Sequence, residues 1–70
     1  MENTVYTYTN KLGRRKELWV DKEPSKDHEN KYCNVIWDLA TGEFCGSGYN
    51  TKEEIDEMLA KMKDVEVREE

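Results

Sequence analysis

The spacing of apolar positions changes period once along this chain, near Thr51. Before it, β-branched and aromatic residues come in short runs: Thr4 to Thr9, Arg15 to Val20, Tyr32 to Trp37 and Phe44 to Tyr49. Such runs suit pleated, half-buried strands. After it, Ile55, Met58, Leu59 and Met62 fall at i, i+3, i+4 and i+7, one apolar stripe of a helix. Thr51-Lys52-Glu53-Glu54 has the form of a capping box at its start. Glu53, Glu57 and Asp64 point away from the stripe, and Glu57 and Lys61 are spaced as a helical ion pair. Lys61 and Lys63 in the last turn complement the helix dipole, and Val65 to Arg68 alternates as a short fifth strand would.

Two turns set how the strands pair. In Asp38-Leu39-Ala40-Thr41-Gly42-Glu43 the Asp can accept from amides ahead of it and the late Gly can take φ > 0. With Leu39 to Gly42 as the loop, Asp38 faces Glu43, Trp37 faces Phe44, Val35 faces Gly46 and Cys33 faces Gly48. Alternation then puts Cys33, Val35, Trp37, Phe44, Gly46 and Gly48 on the core face, and Tyr32, Asn34, Ile36, Cys45, Ser47 and Tyr49 on the other. Asn10-Lys11-Leu12-Gly13 repeats the same loop design. It places Val5, Leu18 and Val20 on one face and Tyr6, Tyr8 and Trp19 on the other. A one-residue slip exchanges the faces.

These elements predict an α+β fold over residues 1–70, a single domain. Two hairpins form an antiparallel four-stranded sheet, and one C-terminal helix packs on one face. The expected core is Val5, Leu18, Val20, Val35, Trp37, Phe44, Ile55, Met58, Leu59 and Met62. So small a core only narrowly offsets chain entropy, which makes self-association a reasonable expectation. Asp21 to Asn30 reads as a polar surface loop between the hairpins.

Charge alters this picture locally. The net charge is −5, and residues 51–70 carry eight acids against four bases. That balance disfavours direct contact with nucleic acid or an anionic membrane. No apolar run reaches the ~20 residues a spanning helix needs, and no signal-peptide core appears. Cys33 and Cys45 point to opposite faces in the expected register, so both thiols should stay reduced, which suits the cytoplasm.

Reactive chemistry finds little support. Gly46-Ser47-Gly48 precedes a helix, where phosphates can bind, but no Walker or dinucleotide spacing follows, and Glu53 and Glu54 bring negative charge there. His28, Cys33 and Cys45 are the only soft metal ligands and lack the paired spacing of a zinc site. A Cys–His nucleophile would need His28 to reach the sheet. The sequence therefore points to no cofactor, no metal and no enzyme. Lys11, Arg14, Arg15 and Lys16 make a basic hairpin tip, read most simply as solubilising edge charge. The run Val35 to Glu43 resembles the strand–turn–strand end of a WD-repeat blade, but it occurs once and a propeller needs repetition.

The remaining signal is surface character. If both hairpins share one register, Tyr6, Tyr8, Trp19, Tyr32, Ile36 and Tyr49 gather on the face away from the helix, a composition favoured at interfaces. This predicts a small protein-interaction or regulatory module, homodimeric through that aromatic face or bound to another protein. The alternative is an acidic inhibitor or nucleic-acid mimic presenting Glu53, Glu54, Asp56, Glu57, Asp64 and Glu66 to a basic groove.

Overall fold

The computed structural model describes residues 2–70. Its strands are β1 (Asn3–Thr9), β2 (Arg15–Asp21), β3 (Tyr32–Asp38), β4 (Phe44–Asn50) and β5 (Lys63–Glu69), with one helix, α1 (Lys52–Ala60), between the last two. They form a single antiparallel sheet in the order β4-β3-β2-β1-β5. The two expected hairpins are present, joined β2 to β3. The helix then carries the chain back across one face so that β5 pairs with β1. The fifth strand is thus longer than Val65 to Arg68 and forms one edge of the sheet.

The helix follows from its cap. Thr51 Oγ1 accepts from the Glu54 amide at 3.1 Å, and Glu54 Oε1 accepts from the Thr51 amide at 2.9 Å. Ile55 and Leu59 are buried, with Met58 and Met62 packed beside them, as the stripe requires. The C-cap is Lys61, so Lys63 lies in β5 and not in a last helical turn.

Both turns use a glycine at positive φ, Gly13 (+80°) and Gly42 (+76°). The second turn is built as expected: the Asp38 amide bonds the Glu43 carbonyl at 2.8 Å, and Trp37 faces Phe44. The first is one residue tighter. Asn10 donates to the Arg14 carbonyl at 2.8 Å, leaving Lys11 to Gly13 as the tip, and the Asn10 side chain accepts from the Leu12 and Arg14 amides.

That single residue turns β1 over relative to β2, so Leu18 and Val20 keep the helix face as expected while Tyr6 and Tyr8 replace Val5 on it. Tyr6 lies opposite Leu18 and Val5 opposite Trp19. In the second hairpin a bulge between Phe44 and Gly46 turns β3 over relative to the Gly46–Asn50 run, setting Ile36 opposite Gly46 and Val35 opposite Ser47. The core beneath the helix is therefore Tyr8, Leu18, Val20, Ile55 and Leu59, with Tyr6, Tyr32, Ile36, Met58 and Met62 around it. Val35, Trp37 and Phe44, expected there, belong to the opposite face. Asn34 is buried under the helix, where its Nδ2 donates to the Tyr32 carbonyl and to Asn50 Oδ1. Among the described residues, no helix is long and apolar enough to cross a membrane.

Candidate functional site

The sheet face away from the helix has a small buried centre of its own. Val5 is fully buried there, between its cross-strand neighbours Trp19 and Arg68. Trp19 Nε1 donates to Glu17 Oε1 at 3.0 Å, and Arg68 Nη1 donates to Glu17 Oε2 at 3.1 Å. The Arg68 guanidinium also sits over the indole, 5.9 Å from its ring centre. One carboxylate thus fixes both groups that cover Val5.

Beside this centre lies an open groove of about 350 Å³ lined by Glu17, Trp19, Trp37, Asp38, Leu39 and Gly42. Glu17 and Trp37 are cross-strand partners, as are Trp19 and Val35, so the register itself brings the two indoles to one groove. Phe44 extends the apolar surface, edge-on to Trp37 with ring centres 5.8 Å apart. It is 59% exposed, and Leu39 is 45% exposed.

The turn beside the groove is held from the helix side of the sheet, where Asp38 Oδ2 accepts from Lys16 Nζ at 3.0 Å, while its Oδ1 accepts from the Ala40 and Thr41 amides. The Lys16 bond, then the turn amides, hold the Asp38 carboxyl below the usual carboxylate range. Asp38 in turn raises the Lys16 ammonium. Lys16 Nζ also lies 3.4 Å from Cys45 Sγ at the bulge.

The polar loop covers the other end of the same face. His28 stacks on Tyr49 with ring centres 3.8 Å apart, and loop residues 21–26 enclose a cavity of about 600 Å³ with Cys33, Tyr49 and Glu2. His28 is thus placed against the sheet after all, by stacking. Among the described residues, no three His, Cys, Asp or Glu side chains cluster as a metal site. Both cysteines are free. They lie on opposite faces, with the sides reversed from the expected ones: Cys33 shares the loop-covered face with Tyr49, and Cys45 sits by Lys16.

The expected aromatic site is not assembled. Of Tyr6, Tyr8, Trp19, Tyr32, Ile36 and Tyr49, only Trp19 and Tyr49 are on the open face. Tyr8 is in the core, and Tyr6, Tyr32 and Ile36 pack against it, because β1 and β3 are each turned over relative to the expected pairing. Burial raises the Tyr8 phenol above its ordinary range. Trp37, Phe44 and Leu39 take the vacated role. Trp37 and Phe44 face each other as the turn predicts, but the face they share is set by the bulge after Phe44, which the pattern of residues does not show.

The acidic set is likewise divided. Glu53, Asp56 and Glu57 are exposed on α1. Glu54 is held by the cap, and the Thr51 amide lowers its carboxyl. Asp64 and Glu66 belong to β5, not to the helix, with Glu66 3.9 Å from Arg15. At the basic tip, Arg15 and Lys16 are paired, whereas Lys11 and Arg14 form no ion pair among the described residues. No family model, curated protein or solved structure matches this chain.

Proposed function

We propose that this chain is a small protein-interaction module whose working surface is the groove between Trp19 and Trp37, extended by Leu39 and Phe44. The observation that carries this reading is exposed aromatic area on a rigid frame. Two half-buried indoles and an exposed phenyl ring would be desolvated by a partner at reduced entropic cost, since the bond to Glu17 already fixes the Trp19 wall and the turn that carries Leu39 is pinned by Asp38. Contiguous apolar surface on a small domain marks such sites, and tryptophan is enriched among their anchors. The partner is a protein. The two free thiols suit a reducing compartment such as the cytoplasm.

The test is a comparison of parent and Trp37→Ala protein in binding to partners recovered from the native cell. Loss of an aromatic anchor is expected to weaken binding by about 2 kcal/mol, roughly 30-fold. Binding that survives Trp37→Ala and Phe44→Ala alike would place the interaction elsewhere. The acidic helix is the second reading, favoured by the solvent-facing carboxylates of Glu53, Asp56 and Glu57. Reversing these to Lys would then abolish binding while the groove variants bind normally.

A further inference from the structure

The two edges of the sheet are built differently. β5 carries charge at five of its seven positions, Lys63, Asp64, Glu66, Arg68 and Glu69. It is kinked at Asp64 (φ +54°), where its register against β1 shifts. Charges and bulges are how natural sheets discourage edge pairing. β4, Phe44-Cys45-Gly46-Ser47-Gly48-Tyr49-Asn50, has neither charge nor proline. Its single bulge lies at the Phe44 end, so Gly46 to Asn50 runs in unbroken register with Ile36 to Tyr32. Only β3 pairs with it, and its outward row of backbone amides and carbonyls is a template for another strand.

We propose that β4 is a strand-pairing edge and that its occupant is a second copy of this chain, added antiparallel about Gly48. In that register Gly48 meets its own counterpart, Ser47 meets Tyr49 and Gly46 meets Asn50. No like charges are opposed, and the glycines leave the two backbones free to approach. A second copy is the fitting occupant because β4 laid against itself brings no charge into the ladder, whereas β5, the other edge, would bring five. Pairing β4 with the charged β5 of another copy would build an open filament, whereas pairing with another β4 closes a two-fold dimer with a continuous ten-stranded sheet. This site is separate from the Trp19–Trp37 groove, which stays open in the dimer.

Charge gives the assembly a recognisable signature. Each copy carries −5 net, with the acids concentrated in α1 and β5 and absent from β4. Added salt screens the repulsion between copies without touching the neutral ladder, so the dimer tightens as salt rises.

Sedimentation across a concentration series, with amide exchange on the same samples, tests the proposal. The expected result is a monomer–dimer equilibrium in which amides of residues 46–50 gain protection with concentration while those of β5 do not. Ser47→Lys places a charge in the ladder and should abolish the dimer. Val67→Lys adds the same charge to the other edge and should leave it intact, as should Trp37→Ala. A protein that stays monomeric throughout its soluble range overturns the proposal. So does a dimer that survives Ser47→Lys but is lost with Trp37→Ala, which would move the contact to the open face. Protection of β4 only on addition of a different protein would overturn the choice of occupant.

Discussion

Tyr8 and Phe44 put the two faces of the sheet to a direct test, because the structure reverses the positions their spacing suggested. Tyr8 is 3% exposed and packs with Leu18, Val20, Ile55 and Leu59. Phe44 is 59% exposed and touches chiefly Trp37, edge-on. Truncating a buried ring to alanine costs about 3–5 kcal/mol. A domain of this length has roughly 4–10 kcal/mol in total, so Tyr8→Ala removes a third of it or more. At about 4–8 °C per kcal/mol for so small a domain, even the lower figure lowers Tm by about 12–24 °C. Phe44→Ala loses one aromatic edge contact and part of a half-wet ring, about 1 kcal/mol, or about 4–8 °C. Thermal unfolding followed by circular dichroism, at protein concentrations low enough to exclude assembly, measures both. If Phe44→Ala melts as low as Tyr8→Ala, the helix covers the other face and the register assigned here is wrong.

Three more outcomes follow from the local chemistry. Asp38 has a depressed carboxyl pKa in the fold, so its share of stability is present above the ordinary Asp pKa and is lost as pH falls through the lower folded value; acid titration of Asp38→Asn should show a flatter loss below about pH 4. Thr51→Ala removes the cap acceptor of α1 and should cost about 1 kcal/mol, read by urea unfolding at unchanged m-value. Alkylation without reductant should label both cysteines, Cys45 first because it is exposed and Cys33 only partly so; a mass showing an internal disulfide would contradict their placement on opposite faces.

Local signals in the sequence were sound wherever a side chain met its own backbone. The Thr51–Glu54 box, the Ile55–Met62 stripe and the Asp38–Glu43 turn all take the form their residues dictate. Two single-residue details decided the faces, and neither is visible in periodicity. Lys11 to Gly13 closes the first hairpin as a three-residue tip, and Cys45 is the extra residue of a bulge. Since strand side chains alternate with period two, each shift turned one strand of its hairpin over, β1 against β2 and β3 against the Gly46–Asn50 run of β4. Leu18, Val20 and Trp19 kept the faces expected of them. That is why Tyr8 and Ile36 appeared outward and Trp37 and Phe44 inward. The error was shared by both hairpins, so the sheet topology survived it while the site did not. β5 was under-read for another reason: every residue in it is exposed, so it has no buried alternation to betray its length. It is held by ladder bonds to β1 and by pairs such as Lys22–Glu69 at 2.7 Å and Arg68–Glu17 at 3.1 Å.

The reach of β5 across the helix to β1 has a consequence for how the chain is made. β1, Asn3-Thr4-Val5-Tyr6-Thr7-Tyr8-Thr9, carries no charge and is rich in strand formers. In the finished fold it is a guarded inner strand, its first residue tied by reciprocal backbone bonds between Asn3 and Glu70 at 3.1 and 2.8 Å. Synthesis, however, delivers β1 well before β5, which guards it. Every nascent chain must therefore pass through a stage in which the first hairpin has emerged with a bare, neutral and sticky flank. A message truncated before Lys63 would leave its product permanently in that state. The eight residues from Lys63 to Glu70, exposed and contributing little core, thus cover an uncharged flank of β1 with a charged one.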